Sequence, residues 1–333
     1  MAKLLEVAQV GKREHKLDVI SLIDAKTYPF TSMANKRFVP ENTLVEWQAD
    51  ALPEPSFDGV LDGKDATVFE NMAERRAMLQ TRVQIFERKP MVSFLAEKIS
   101  NVAGVGKKKE MARAVAQALE ALKRDMECAF CSDRESQQQV GEAPYRTRGL
   151  GKYFQSAAQT DLPIPEAYRT PTGSISTTAT ATLADTDVNA VLQSMWSQTG
   201  KVKRMSLLAG MTLRSRFSKL TQTQFGNTNV ASAIKVMMQN AESKKLMDTI
   251  DSYEGDFGTF ELVPSDWLAR DSADADVRNQ RGYAIDFDLV QIGFLGAPER
   301  IPLQDGGGGP RELIRAVASL LHLNPLAGGK FAP

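Results

Sequence analysis

The chain has very little histidine or cysteine: two of each in 333 residues. Histidine is the commonest general base near neutral pH, and neither His15 nor His322 has an acid-rich motif beside it. His15 lies in the charged stretch Lys12-Arg13-Glu14-His15-Lys16 and reads as a solvated side chain. His322 is expected near the end of an amphipathic helix, where a cationic side chain caps the negative pole. Cys128 and Cys131 have the spacing of half a zinc site, but no second ligand pair follows. Three residues apart on one predicted helix they are poorly placed for a disulfide, so they read as small apolar residues packing on that helix. No catalytic residue, metal or cofactor is expected.

Charge of one sign is missing too. Forty-one basic and 41 acidic side chains give a formal net charge of zero, without the basic stripe of a dedicated nucleic-acid binder or the acidic excess of a disordered regulator. Near-zero charge favours association generally. No run approaches the roughly 18 apolar residues of a membrane span, and the start lacks the apolar core of a secretory signal, which points to a cytosolic product. Gly306 to Gly309 precede Pro-Arg-Glu instead of the Gly-Lys-Ser/Thr of a phosphate loop, and read as a flexible loop. Gly104-Val105-Gly106 and Gly149-Leu150-Gly151 each lack the third glycine of a dinucleotide fingerprint.

What is present is 42% hydrophobic residues with 25% charged ones, enough for a buried core and about two domains. Residues 1–41 show no sustained period and read as an extended arm with little core of its own. Val45, Trp47 and Ala49 alternate with Glu46, Gln48 and Asp50, which predicts a strand; Thr81 to Phe86 predicts a second. Between them Pro53, Pro55, Gly59 and Gly63 break up a charged stretch. The reading is a long two-stranded ribbon that needs a surface to lie on, or else an ordinary edge hairpin.

From Lys107 to Cys131 there is neither proline nor glycine, and Met111, Val115, Ala118, Leu119, Leu122, Met126 and Phe130 recur at helical steps. This predicts a long rod helix whose other faces, with Arg113, Glu120, Lys123, Arg124 and Glu127, are in water. Thr170 to Ala184 reads as a linker or surface loop. A helix capped by Asp187 and stopped by Gly200 follows, then a strand at Arg204 to Ala209 and a helix near Thr212 to Leu220. Gly258 to Val263 and the alternation of Tyr283, Ile285, Phe287 and Leu289 predict sheet strands. Pro310 is expected to begin a last helix carrying Leu313, Ile314, Val317, Leu320 and Leu321. The class is α+β.

The pieces resemble a known family. Val45-Glu46-Trp47-Gln48-Ala49-Asp50-Ala51-Leu52, then Asp62-Gly63-Lys64-Asp65-Ala66, Val83-Gln84-Ile85-Phe86, Val92-Ser93 and the closing Asn324-Pro325-Leu326-Ala327-Gly328-Gly329 are similar, in order and spacing, to the SU10-type major capsid proteins of tailed phages. The resemblance implies an HK97-like capsid fold. Residues 1–41 would be the N-terminal arm, 42–95 the extended β-hairpin or E-loop, and 96–185 the P-domain with its spine helix at 107–131. Residues 186–310 would form the A-domain and 311–333 a C-terminal helix and return segment.

It further implies a homo-oligomer of pentamers and hexamers in an icosahedral shell around double-stranded DNA, contacted non-specifically. Portal and separate scaffold or decoration proteins would be the partners, with no membrane; assembly would take place in the host cytoplasm and the product would reside in the virion. Arm and ribbon fill the residues before the rod helix, so no fused scaffolding segment and no cleavage of this chain are expected. Trp47, Phe86, Val45 and Ile85 are the candidate contacts between subunits, the aromatic pair because aromatics bury the most area; packing inside one hairpin is the alternative for that pair. A ring or tube component of the virion and a soluble ligand-binding or enzyme domain are the competing functional readings.

Overall fold

In the computed structural model the longest run without proline or glycine does form the longest helix. The structure describes residues 27–36, 38–53, 55–57, 59–65, 67, 69–98, 110–200, 203–223, 238–239, 246–247 and 251–333. His15, most of the arm and Gly104-Val105-Gly106 lie outside them.

In chain order the helices are α1 (Pro29–Met33), α2 (Phe94–Lys98), α3 (Glu110–Phe130), α4 (Leu150–Tyr153), α5 (Asp185–Thr199), α6 (Met211–Thr223) and α7 (Ala275–Gln280). The strands are β1 (Leu44–Ala49), β2 (Ala77–Arg82), β3 (Gln84–Arg88), β4 (Ile175–Ser176), β5 (Lys203–Ala209), β6 (Met238–Gln239), β7 (Leu246–Met247), β8 (Ser252–Gly255), β9 (Gly258–Pro264), β10 (Gly282–Ile285), β11 (Val290–Leu303), β12 (Arg311–His322) and β13 (Gly329–Phe331). The 21 residues of α3 make a rod of about 31 Å. Met111, Val115, Leu122, Met126 and Phe130 are buried as its spacing predicts, whereas Leu119 is exposed.

Among the described residues two compact units emerge, one within 87–122 and 299–314, the other within 28–86, 123–298 and 315–333. The larger holds a mixed six-stranded sheet in the order β4-β13-β10-β5-β9-β8. There β5 and β9 run parallel, from Lys203 opposite Gly258 to Ala209 opposite Pro264. Val188, Val191, Leu192 and Met195 of α5 and Leu213, Phe217 and Leu220 of α6 pack with Met205, Leu207, Phe260 and Leu262 of the sheet. The strand residues sit at every second position, so one sheet face carries this core. Gly200 at φ +62° ends α5, a left-handed position that glycine occupies without a Cβ clash.

In the smaller unit the turn between β11 and β12 is stitched to the segment ahead of α2. Val92 N donates to Pro310 O at 3.1 Å and Phe94 N to Gly308 O at 3.2 Å. Gly309, at φ +119°, has no room for a side chain, because a Cβ there would stand 2.3 Å from Val92 O. Arg300 pairs with Glu312.

Several expectations fail for physical reasons. The last segment is no helix: Arg311–His322 is β12, the middle strand of a sheet ordered β11-β12-β3. Glu312, Ile314, Ala316, Ala318, Leu320 and His322 are buried on one face, but Leu313, Ser319 and Leu321 are buried on the other. A strand covered on both faces loses its period of two, and what remained imitated a helical spacing. His322 therefore caps nothing and stands at a strand end. The predicted strand at 81–86 breaks at Val83 into β2 and β3, which join different sheets. The alternation of 283 to 289 is a strand only through Ile285; Asp286 then accepts from Asp288 N at 3.1 Å and turns the chain through Phe287–Leu289.

Asp187 is not the first cap of α5 but its third residue, accepting from Ala184 N at 2.9 Å. The 170–184 segment is no free linker: Thr170, Ser174, Ser176, Thr180 and Leu183 are buried, and β4 lines up beside β13.

Candidate assembly surface

The alternation that predicted β1 places its side chains on two faces of a hairpin. β1 and β2 pair antiparallel from Leu44 opposite Arg82 to Ala49 opposite Ala77, with Trp47 facing Leu79. Val45, Leu79 and Thr81 are buried, while Glu46, Gln48 and Met78 are exposed, and Gln80 bonds across to Glu46. The root of the hairpin is seated by its own chain: Val45 and Val83 cluster with Leu321, joined by Phe38, Trp47 and Val317. Arg82 holds Asp161 at 3.0 Å, and Thr147 N donates to Gln84 Oε1 at 3.3 Å.

Beyond Ala49 and before Ala77 the strands stop, and the chain makes a tip with its own turn chemistry. Lys64 N donates to Leu61 O at 3.2 Å around Gly63, which sits at φ +75°. Asp50 pairs with Arg76 at 3.1 Å and Arg75 reaches Leu52 O at 3.3 Å, closing the base of the tip. Leu52, Phe57, Val60, Leu61, Phe69 and Met72 stand 65% to 94% exposed on it. Single apolar residues in water are ordinary, but six within one short segment are more than that background.

This geometry divides the four candidate contacts. Phe86 is buried, edge-on to Phe130 at 6.0 Å, and Val45 is buried in the root cluster. Both are enclosed by their own chain, the arrangement that packing inside one subunit describes. Trp47 is half-buried against the same cluster, with its indole Nε1 lacking a hydrogen-bond partner. Ile85 is half-exposed. The tip side chains were missed; their only signal was apolar residues without a period in a stretch rich in proline, glycine and charge.

The described end of the arm also docks on its own chain. Phe30 is fully buried, 5.9 Å from Phe287 and 6.3 Å from Phe130, and Tyr28 lies 6.1 Å from Trp267. Glu127 of α3, expected in water, is fully buried and accepts from Phe30 N and Thr31 N, both at 2.8 Å. Burial pushes its carboxyl up, and the two backbone donors, the Thr31 hydroxyl and the Lys36 charge oppose that.

A second anchor fixes the C-terminal strand. Asp133 pairs with Lys330 at 2.7 Å and Arg281 at 2.8 Å and accepts from the Tyr283 hydroxyl at 3.2 Å. Burial acts to raise the Asp133 carboxyl, but the Lys330 and Arg281 charges prevail and hold it below the usual range. Both cysteines are free. Burial pushes the Cys128 thiol up to about 11 and that of Cys131 well above its ordinary value, so neither supplies a thiolate near neutral pH.

The family model described as SU10 major capsid protein matches residues 6–333. Among solved structures, the capsid of Cyanophage P-SCSP1u is similar at 11% identity and a TM-score of 0.59, covering 97% of this chain and 93% of that one. Gordonia phage Cozz gives 14% identity and a TM-score of 0.57 over 97% and 91% of the two chains. Mycobacterium phage Cain gives 13% and 0.58 over 100% and 99%. At these identities the likeness concerns the fold, which is the HK97-like capsid fold. No curated protein matches the sequence.

Proposed function

The chain belongs to the SU10 major capsid protein family, and on that premise we propose that it builds an icosahedral shell of pentamers and hexamers by laying its hairpin tip on a neighbouring copy. As a phage major capsid protein it performs a structural task, and we read it as carrying no catalytic activity. The observation behind the mechanism is the six-residue apolar tip on a hairpin whose root is already seated. Each large apolar side chain gains about 2 kcal/mol on burial, so the tip offers on the order of 10 kcal/mol before the cost of ordering it. Head-to-tail contacts of this kind close into rings when the rotation permits.

In this reading residues 42–95 form the E-loop, α3 is the spine of a P-domain at 96–185, and 186–310 form the A-domain near the capsomer centre. Residues 1–41 are the arm, and 311–333 supply β12 and the return segment in place of the expected helix. Half-exposed Ile85 and Trp47 border the interface; Val45 and Phe86 support it from inside. The shell would enclose double-stranded DNA through non-specific contact and meet a portal and separate scaffold or decoration proteins, assembling in the host cytoplasm.

Negative-stain microscopy of the Phe57→Asp/Phe69→Asp double variant tests this. Loss of closed particles with an unchanged melting temperature of the isolated subunit is expected. Normal shells would refute it.

A further inference from the structure

On its β2 side the hairpin leaves the rest of its unit where the chain changes sheets. β2 ends at Arg82, β3 begins at Gln84, and the two strands lie in different sheets; Val83 N donates to Thr43 O at 3.1 Å and closes the β1–β2 pairing, which does not continue into the sheet of β3. The root cluster around Val45, Val83 and Leu321 seats the hairpin, but apolar contact is non-directional. Direction comes from polar contacts. Arg82 grips both carboxylate oxygens of Asp161, Nε to Oδ2 at 3.0 Å and Nη2 to Oδ1 at 3.3 Å, a fork that fixes orientation as well as distance. Farther out, the Tyr168 hydroxyl donates to the Arg75 carbonyl. Beside that bond lies an open groove of about 600 Å³ lined by Ala51, Arg75, Ala77, Pro165 and Tyr168, so close packing does not set the spacing there.

We propose that Arg82, Asp161 and Tyr168 are positioning residues for assembly: they hold the hairpin at the angle from which its tip meets a second copy with the curvature of a closed shell. The inference rests on the reading of the tip as an inter-subunit contact. The side chains of Arg82 and Asp161 are 11% and 31% exposed, which shields their attraction from solvent better than a fully exposed pair would be. Asp161 is further fixed through its own backbone, whose carbonyl accepts from Arg148 Nη2 at 3.0 Å. A displaced Asp161 would therefore have to drag a buried arginine with it.

The test uses the full chain with Asp161→Asn, Tyr168→Phe and the charge exchange Arg82→Asp/Asp161→Arg. Melting of the isolated subunit, amide exchange at 77–82 and particle form by electron microscopy are read for each. Tyr168→Phe is expected to leave melting nearly unchanged and Asp161→Asn to lower it modestly; both should raise amide exchange at 77–82 by roughly tenfold and replace closed shells with open sheets and tubes. The charge exchange is expected to restore closed shells, which ties the effect to the pair itself, while open forms from Tyr168→Phe at unchanged melting are what a merely structural role would not produce. If Asp161→Asn does not fold, Tyr168→Phe decides alone, since it removes one hydrogen bond and strands no charge.

Normal shells from both single variants would overturn the proposal, as would open forms that persist in the charge exchange. If the Phe57→Asp/Phe69→Asp variant loses its shells while the positioning variants keep theirs, only the positioning role fails. If the tip variant keeps its shells, the reading beneath it fails.

Discussion

Between pH 6.5 and 4 acid should weaken the isolated subunit through His322. Its ring is fully buried, 6.0 Å from the Tyr153 ring and edge-on to Phe154 at 5.1 Å, and neither Nδ1 nor Nε2 has a hydrogen-bond partner. Burial lowers it from 6.5 to about 4, against a small opposing pull from Asp286. A base whose folded value lies below its unfolded one is neutral in the fold and takes up its proton on unfolding. Its contribution is therefore intact above pH 6.5 and is lost as the pH falls from 6.5 towards 4. Over that window the linkage amounts to about 3 kcal/mol.

Other groups titrate nearby, and Glu127, whose carboxyl is pushed up, acts with the opposite sign. The difference between wild type and His322→Phe removes these shared terms. Urea denaturation of unassembled subunit at pH 7, 5.5 and 4 should show the variant gaining about 3 kcal/mol relative to wild type across the series. The phenyl ring replaces an imidazole that forms no hydrogen bonds, so the two should nearly coincide at pH 7. Parallel pH profiles would refute the reasoning.

Three further outcomes follow from the same geometry. Glu127→Ala leaves the buried Phe30 amide without its acceptor and should cost about 2 to 4 kcal/mol, read as a lower urea midpoint with faster amide exchange at 28–33. Asp133→Asn strands the mostly buried Lys330 and Arg281 and should cost about 3 to 5 kcal/mol in the same assay; because the Asp133 carboxyl is held low, its stabilisation in wild type is present above the ordinary carboxylate range and lost as pH falls below it. Phe86→Ala opens a cavity against Phe130 and should cost about 3 to 5 kcal/mol in the isolated subunit, whereas Ile85→Ala should cost under about 1.5 kcal/mol there; equal effects would contradict the burial assigned to the two residues.

The sequence was most legible where an element has one wet face. β1 kept its period of two because Val45 and Trp47 rest on the root cluster while Glu46 and Gln48 meet water. That α3 exists followed from an unbroken run without proline or glycine; the described helix is Glu110–Phe130, and residues 107–109 of the expected one lie outside the described residues. β12 was misread because both its faces are covered, which erases the alternation that separates strand from helix. Glu127 reads from sequence as solvated because a carboxylate on a helix flank usually is. Its partners are backbone amides 96 and 97 residues away, a pairing that only the tertiary fold creates. Val45 and Phe86 showed the same ambiguity: an apolar residue in a hairpin has one spacing whether its own chain or another covers it. The apolar residues of the tip have no period at all, and their exposure became visible only once the strands were seen to end at Ala49 and begin again at Ala77.

Hydrogen–deuterium exchange across residues 50–76, measured first on isolated subunits and then on closed particles, bears most directly on whether this segment joins one copy to the next. Amides that exchange freely in the subunit should become strongly protected in the particle, while those of β5 and β9 stay equally protected in both. Exchange in 50–76 that remains as fast in closed shells as in free subunits would mean that the tip contacts no neighbour and that other surfaces hold the shell together.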